Sequence, residues 1–342
     1  MKAAGATTVV GLAGCSGDGS SDGDSGGTIG SSDQNNGGDE VTLTFGTHLH
    51  KTPEQKEVLF DLLYELGLPE RISIESTFPS GSPDQVKQVW DRQLRTGGRS
   101  PDVMAVEVGW IKNYARRGWV ENLSELLPSS MVSTVQDEFF PGHVEAAMLD
   151  GDLYAVSAFP GFPTTMYNKP LLEEAGYDPE GEDWASKSLT WKRLSNIAAD
   201  VVEQTDAEIG YTCAANNSLQ TSVGTFPESM HSFGGSWFGG LENRFGPVGD
   251  RPVTVDDDPS IKAVQMYQRF MHGAEFSGLE DYAGGIMPSA ATNWNHQDAN
   301  LPFMDGNAVF LRNFPFALSL IANELGQEKM GVMPNPKGVD EG

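Results

Sequence analysis

Cys15 stands directly after Leu12-Ala13-Gly14, at the end of a short run of small apolar residues and ahead of a polar Gly/Ser/Asp-rich run. A small-residue cleavage site immediately before a cysteine has the form of a lipobox, in which the thiol takes a lipid and the cysteine becomes the new N-terminus. Ala3 to Gly14 is too short to span a bilayer, so residues 1–15 read as a signal segment. With Cys15 lipidated, Cys213 is the one remaining thiol, and no internal disulfide is expected. A lone cysteine of this kind is most often a small buried hydrophobe. His48 and His50 form a His-x-His pair, a spacing that zinc ligands can adopt. No third ligand at a matching distance accompanies them, so no metal is expected, and a hydrogen bond from His48 to a bound molecule is the alternative. No Gly-x-Ser-x-Gly elbow between strand and helix, phosphate-cradling loop or metal-ligand helix is found, and no cofactor is expected.

Residues 16–40 contain no Lys, no Arg and no aromatic, and Ile29 is their only bulky aliphatic residue. Such a segment buries too little apolar surface to offset its ordering entropy, so a disordered linker is expected. Its reach is roughly 25–30 Å, taking about 5–6 Å times the square root of residue number. Met1-Lys2-Ala3-Ala4-Gly5 resembles the tail of a twin-arginine export signal, and an Arg pair upstream of it is the expectation.

The chain carries 48 acids against 22 bases, a net charge of −26, spread along its length. A surface of that sign repels nucleic acid and anionic lipid. Diffuse acidity with few Lys resembles the surfaces of haloarchaeal proteins, where dense carboxylates keep a fold soluble in concentrated salt. No further run of about 18 apolar residues occurs. The roughly 300 residues after the linker suit one large or two medium domains.

Periodicity then gives the elements. Val41 to Thr47 alternates apolar and polar residues and reads as a strand. Thr52-Pro53-Glu54-Gln55 is a capping box, opening a helix whose Val58, Leu59, Leu62, Leu63 and Leu66 share a face. Arg71 to Thr77 is a second strand. Ser82-Pro83-Asp84-Gln85 opens a second helix, with Val86, Val89, Trp90 and Leu94 on one stripe. Asp102 to Val108 is a third strand, and Trp110 to Arg117 a short helix. This alternation argues for a mostly parallel α/β sheet, whose ligands bind beyond the carboxyl ends of the strands. The loops Thr47 to Lys51 and Glu107 to Trp110 stand at those ends. Further on, Leu153 to Tyr167 is an apolar segment interrupted by Pro160 and Pro163. Helices are expected at Pro170–Gly176, Thr190–Gln204 and Ser260–His272, with Trp191, Leu194, Ile197 and Val201 on one face of the second.

Four stretches together resemble the extracellular solute-binding proteins of ABC importers, in particular the group that binds maltose and trehalose. The first is Pro101-Asp102-Val103 through Trp110, followed by Arg117-Gly118-Trp119. The second runs from Gly151-Asp152-Leu153-Tyr154 to Tyr167-Asn168-Lys169. The third is Leu189-Thr190-Trp191. The fourth comprises Phe303 to Phe310, Arg312-Asn313-Phe314-Pro315-Phe316, and Met330-Gly331-Val332-Met333-Pro334-Asn335-Pro336. They occur in the family's order across residues 41–338. The resemblance implies a two-lobed periplasmic-binding-protein-like fold of type II, each lobe a mostly parallel sheet flanked by helices. It places a first α/β lobe at 41–158 and a second at 159–342. Members of the family usually continue for roughly a hundred residues past the Gly-Val-x-Pro-x-Pro segment, so a truncated chain with an incomplete first lobe is expected.

A sugar presents hydroxyls around a ring with two weakly apolar faces, and needs aromatic platforms plus fixed polar groups. By position in the family's pattern, Glu107 would accept hydroxyls and Trp110 would stack or pack in the core. Arg312 and Phe314 sit on the aromatic-Pro turn, where the family often has Trp in place of Phe314. Trp237 follows Gly234-Gly235-Ser236, Trp294 lies between Asn293 and Asn295, and Phe159 and Phe162 flank the crossing strand. All are candidate ligand contacts. The implied protein is a monomer without catalysis, lipid-anchored through Cys15 on the outer face of the cell membrane, delivering a sugar to membrane permease subunits. The alternatives are a receptor for a polyamine or other small solute, which the acidic surface favours, and a secreted glycoside hydrolase using a carboxylate pair.

Overall fold

The computed structural model describes residues 40–338, apart from 48–52, 78, 80–82, 99, 159–160, 219–220, 241–242 and 245–248. Cys15, the linker, His48 and Phe159 therefore lie outside the described residues. Contacts divide the chain into two compact units, one up to Glu107 and the other from Val108.

The first unit alternates strand and helix as its periodicities require: β1 (Val41–Gly46), α1 (Pro53–Glu65), β2 (Ile72–Thr77), α2 (Pro83–Arg95) and β3 (Val103–Met104). All pairings are parallel, in the order β2-β1-β3, with Val41 opposite Ile72 and Phe45 opposite Val103. The third strand is much shorter than the Asp102–Val108 expected. Its partner β1 ends at Gly46, opposite Met104, and the Ala105 N–H to Gly46 O bond is the last between them, so residues past 105 have no ladder to join. Asp102 fastens the start of β3: its carboxylate accepts hydrogen bonds from the Thr44 backbone N–H and hydroxyl, both 2.7 Å. Those bonds hold its pKa below the ordinary carboxylate value. Helix α2 buries Val86 and Trp90 as its stripe predicts. Gly46 is required beside them, because a Cβ there would stand 2.7 Å from Pro101 Cγ and 3.0 Å from the Trp90 ring. Helix α1 departs from expectation. Val58, Leu62 and Leu66 on its apolar stripe are exposed. A period of 3.6 says which face prefers burial, but a packed surface must exist to bury it.

The second unit opens with four helices, α3 (Ile111–Arg116), α4 (Leu123–Leu126), α5 (Ser129–Glu138) and α6 (Pro141–Ala147). A two-residue hairpin follows, β4 (Met148–Leu149) against β5 (Asp152–Leu153), turning at Asp150-Gly151 with φ of 53° and 95°. Asp-Gly suits that turn because both central residues take positive φ. Next come β6 (Thr164–Asn168), α7 (Lys169–Glu174), α8 (Trp191–Gln204), β7 (Ile209–Thr212), a π-helical turn (Thr221–Thr225), α9 (Phe226–Ser232) and α10 (Asp258–His272). The described chain closes with α11 (Leu301–Met304), β8 (Ala308–Asn313), α12 (Phe316–Ile321) and β9 (Met330–Met333).

This sheet has the order β7-β8-β6-β9 and is mixed: β7 and β8 are parallel, while β6 runs antiparallel to β8 and to β9. That differs from the mostly parallel sheet expected of this region. Strand β6 arrives from the preceding helical segment rather than by a crossover from a strand of the same sheet, so nothing fixes it parallel to β8. Helix α8 is capped by the Thr190 hydroxyl, which accepts from the Arg193 N–H at 3.1 Å. It buries Trp191, Leu194, Ile197 and Val201 on the expected face, packed with Tyr211, Met266, Phe270 and Phe310. All six residues of β8 are buried, including the polar Arg312 and Asn313 at its end.

Candidate functional site

A charged side chain at the end of a fully buried strand needs an explanation, because burying it unpaired is costly. Strand β8 delivers Arg312 at 1 % exposure. Helix α9 supplies its counter-charge. Glu228 Oε2 accepts from Arg312 Nε at 2.7 Å, and Oε1 accepts from Nη2, a bidentate pairing. Asn335, in the Pro334-Asn335-Pro336 segment after β9, donates its amide to Glu228 Oε2 at 3.2 Å. Its Oδ1 accepts from the Thr165 hydroxyl of β6 at 2.9 Å. That segment is fixed by Lys337, whose N–H bonds to Leu189 O and whose carbonyl accepts from Trp191 N–H. Four separate elements thus converge on one carboxylate–guanidinium pair.

The guanidinium carbon lies 4.4 Å from the centroid of the Phe314 ring. Phe314 is half-buried, and its other neighbour is the His296 imidazole, edge-on at 5.1 Å. Asn313 orients this turn: its amide donates to His296 O and Asn300 Oδ1, and its Oδ1 accepts from the Phe314 N–H. Gly224, in the π-helical turn, lies against the same groups. A Cβ added there would sit 3.6 Å from both Arg312 Nη2 and Phe314 Cζ, and 4.0 Å from Glu228 Oε1. Single π-helical turns of this kind occur frequently at functional sites.

Two buried polar atoms in this cluster have no hydrogen-bond partner, Arg312 Nη1 and His296 Nδ1. The electrostatics follow from burial. Desolvation raises the Glu228 carboxyl above its ordinary pKa, while Arg312 and Asn335 pull it back down. Arg312 cannot shed its proton, so a neutral Glu228 would strand a buried cation, and the ion pair is the state at neutral pH. Burial, helped by the Arg312 charge, lowers the His296 pKa to about 4, leaving a neutral imidazole at pH 7. Behind the pair, burial pushes the Cys213 thiol up to about 12 and raises the Tyr211 and Tyr267 hydroxyls well above their usual values. Cys213 is the small buried residue expected, with no disulfide partner among the described residues. No cluster of His, Cys, Asp or Glu suited to a metal ion occurs among the described residues.

The other candidates fall elsewhere. Glu107 is exposed in the loop after β3, in the first unit. Trp110 is half-buried, its ring 6.4 Å from that of the buried Tyr114. Trp237 packs edge-on against Phe226 at 5.7 Å, and Trp294 packs against both apolar clusters of the second unit. Phe162 is 46 % exposed and belongs to a separate ring cluster, with Phe140 at 4.9 Å and His143 at 6.4 Å. His48 and Phe159 are outside the described residues. Of the expected residues, the fold joins Arg312 and Phe314. It adds Glu228, His296, Asn335 and Gly224, which residue types alone did not single out. Asn335 stood inside a quoted motif. Glu228 offered no signal in the sequence; only the structure shows it between the buried Pro227 and Ser229.

The cluster thus combines a buried guanidinium with an unpartnered donor, an aromatic ring and a neutral imidazole. Comparison with known proteins gives the family. The profile of the family described as bacterial extracellular solute-binding protein matches residues 73–317. A probable ABC transporter-binding protein of Deinococcus radiodurans is 23 % identical over 256 residues, covering 73 % of this chain and 53 % of that protein. The chain thus spans about half the length of this curated relative. Among solved structures, maltose-bound MalE3 of T. maritima superposes with a TM-score of 0.65 at 22 % identity, over 87 % of this chain and 69 % of that one. UgpB of Mycobacterium tuberculosis in complex with glycerophosphocholine gives 0.64 at 18 % identity, over 89 % and 69 %. At such identities the likeness establishes the fold, an α/β architecture of the periplasmic-binding-protein kind. No helix among the described residues is long and apolar enough to cross a membrane.

Proposed function

Since this chain belongs to the bacterial extracellular solute-binding protein family, we propose that it is the substrate-binding component of an ABC importer and that its solute is a sugar. The observation that carries the sugar reading is the pairing of Phe314 with Arg312. A half-buried ring offers an apolar platform for a pyranose face, and the guanidinium 4.4 Å from its centroid, itself gripped by Glu228, holds that ring in place. Glu107, Trp110, Trp237, Trp294, Phe162, Phe159 and His48 are the further proposed contacts, on lobes comprising residues 41–158 and 159–342.

In the same reading, Cys15 carries the lipid that anchors the protein to the outer face of the cell membrane. The linker spaces the domain from that surface, and the acidic exterior suits concentrated salt. The protein acts as a monomer and hands its solute to permease subunits. A polyamine is the second reading, favoured by the net charge of −26. The test is a titration of Trp fluorescence in concentrated salt with maltose, trehalose, glucose and spermidine. Saturable binding of a sugar is expected. A response to spermidine alone would replace the sugar by the polyamine.

A further inference from the structure

Asparagine followed two residues later by serine is an acceptor triplet for N-linked sugar, and it occurs twice in the chain, at Asn122-Leu123-Ser124 and Asn216-Asn217-Ser218. Such triplets arise often by chance, so the sequence chooses neither; the surroundings of the two carboxamides do. Asn122 lies in the irregular stretch between α3 and α4, half-buried and next to the exposed Glu121. Its Oδ1 accepts one hydrogen bond, from the Ser124 N–H at 2.9 Å. Its Nδ2 donates to no described residue and is not among the buried unpartnered atoms, so it reaches solvent. Ser124 Oγ accepts the Leu153 N–H at 2.9 Å, which fixes the hydroxyl oxygen and leaves its proton without an acceptor among the described residues. Asn216 is tied differently. Its Oδ1 accepts from the Ser218 hydroxyl at 2.7 Å and the Thr221 hydroxyl at 3.0 Å, and its backbone N–H bonds to Trp294 O at 3.1 Å. The serine hydroxyl of this triplet is spent on its own asparagine, and Thr221 opens the π-helical turn that carries Gly224.

We propose that Asn122 is an N-glycosylation site of the folded protein and that Asn216 is not. The family is extracellular, which is where a surface triplet meets glycosylation. In the transfer, Nδ2 of Asn122 attacks C1 of an oligosaccharide carried on a lipid diphosphate. The Nδ2–C1 bond forms and the C1–O bond to the diphosphate breaks. The lipid diphosphate leaves with the electron pair, and one Nδ2 proton passes to a base of the membrane transferase. An amide nitrogen is a poor nucleophile, because its lone pair is delocalised into the carbonyl, so the transferase must take hold of the carboxamide and twist it. At Asn122 that disturbs one hydrogen bond to Oδ1; at Asn216 it disturbs two and pulls on the turn that begins at Thr221. The glycosylated side chain keeps its carbonyl oxygen, so Oδ1 can go on capping α4. A bulky polar glycan at Asn122 stands in solvent beside Glu121, whereas at Asn216 it would crowd the turn that holds Gly224 against Arg312. This holds whatever solute the protein carries.

The full chain, purified from the membranes of the cells that make it, tests this by intact mass and by peptide mapping before and after glycan removal. The peptide carrying Asn122 should bear the glycan, and the peptide carrying Asn216 should not. Asn122→Gln should lose all of it and Asn216→Gln none. Ser124→Thr, which retains a hydroxyl at the same place, should keep it. Leu123→Pro should lose it, because proline in the middle position blocks the triplet. That change suits the first position of α4 and leaves Asn122 in place, so it reads the triplet even where Asn122→Gln does not fold. A second arm incubates unglycosylated chain with those membranes and a labelled lipid-linked oligosaccharide. Folded chain should be labelled at Asn122 alone. Chain unfolded in urea should be labelled at both, because the bonds from Ser218 and Thr221 are then gone. A bare Asn122, glycan on Asn216 of the folded chain, or membranes that label no Asn-x-Ser peptide would each overturn the proposal.

Discussion

Glu228 and Arg312 stand 84 positions apart in sequence, yet the carboxylate of one grips both Nε and Nη2 of the other. That pairing lets a guanidinium sit at the end of a fully buried strand, against the Phe314 ring. Removing one partner of such a buried pair costs about 3–5 kcal/mol, because the other charge remains buried and uncompensated.

Phe314 is expected to provide stacking area, so Phe314→Ala should weaken sugar binding by about 1–2 kcal/mol, roughly 5- to 30-fold. Phe314→Trp should preserve or improve it. Isothermal titration with the best-binding sugar of the fluorescence panel reads both. Equal affinity for all three proteins would remove Phe314 from the site.

Gly46→Ala should destabilise the first unit. Its new Cβ would stand 2.7 Å from Pro101 Cγ and 3.0 Å from the buried Trp90 ring. Overpacking of this kind costs about 1–3 kcal/mol. A urea titration followed through Trp emission should show a lower midpoint, and Gly67→Ala is not a matched control, because φ there is 103°.

The His296 imidazole should make stability depend on pH in a defined window. Its folded pKa, lowered by burial to about 4, lies below the ordinary imidazole value of 6.5. Between those values the unfolded chain binds the proton and the native chain does not, so stability is present above about pH 6.5 and is lost as pH falls toward 4. The slope reaches at most about 1.4 kcal/mol per pH unit for one proton. Thermal melts across that range should show His296→Asn flattening the dependence relative to wild type. Parallel curves would show that His296 takes up its proton without unfolding.

Thr190→Ala should cost about 1 kcal/mol, because its hydroxyl caps α8 by accepting the Arg193 N–H. Thr190→Ser should restore most of it. The same change should leave solute affinity unaltered, since Thr190 contacts none of the Arg312 cluster in the hydrogen bonds described.

Cys213 should be inert to thiol reagents in the native protein, being fully buried with its pKa pushed up to about 12. Labelling with an aromatic disulfide reagent should appear only in denaturant and follow global unfolding. Rapid labelling of the folded chain would mean that the core behind Arg312 opens readily.

Much of this protein was decided by local sequence. The 3.6-residue spacing of Trp191, Leu194, Ile197 and Val201 together with Thr190 defined α8 and its buried face. The run from Phe303 to Phe316 placed Arg312 and Phe314 together on an aromatic-Pro turn, though strand β8 extends through Asn313 and carries Arg312. What local pattern could not supply was the partner of each element. The α1 stripe prefers burial, but Val58 and Leu66 stay exposed because a preference does not create a surface to pack on. The direction of β6 depends on where the chain enters the sheet. Glu228 became part of the site only when α9 was brought beside β8, and Asn335 only when the segment after β9 crossed the same point, 107 residues from Glu228. Local periodicity encodes which face of an element avoids water. Pairing charges across such separations needs the register of strands and the packing of helices, which short-range spacing does not determine.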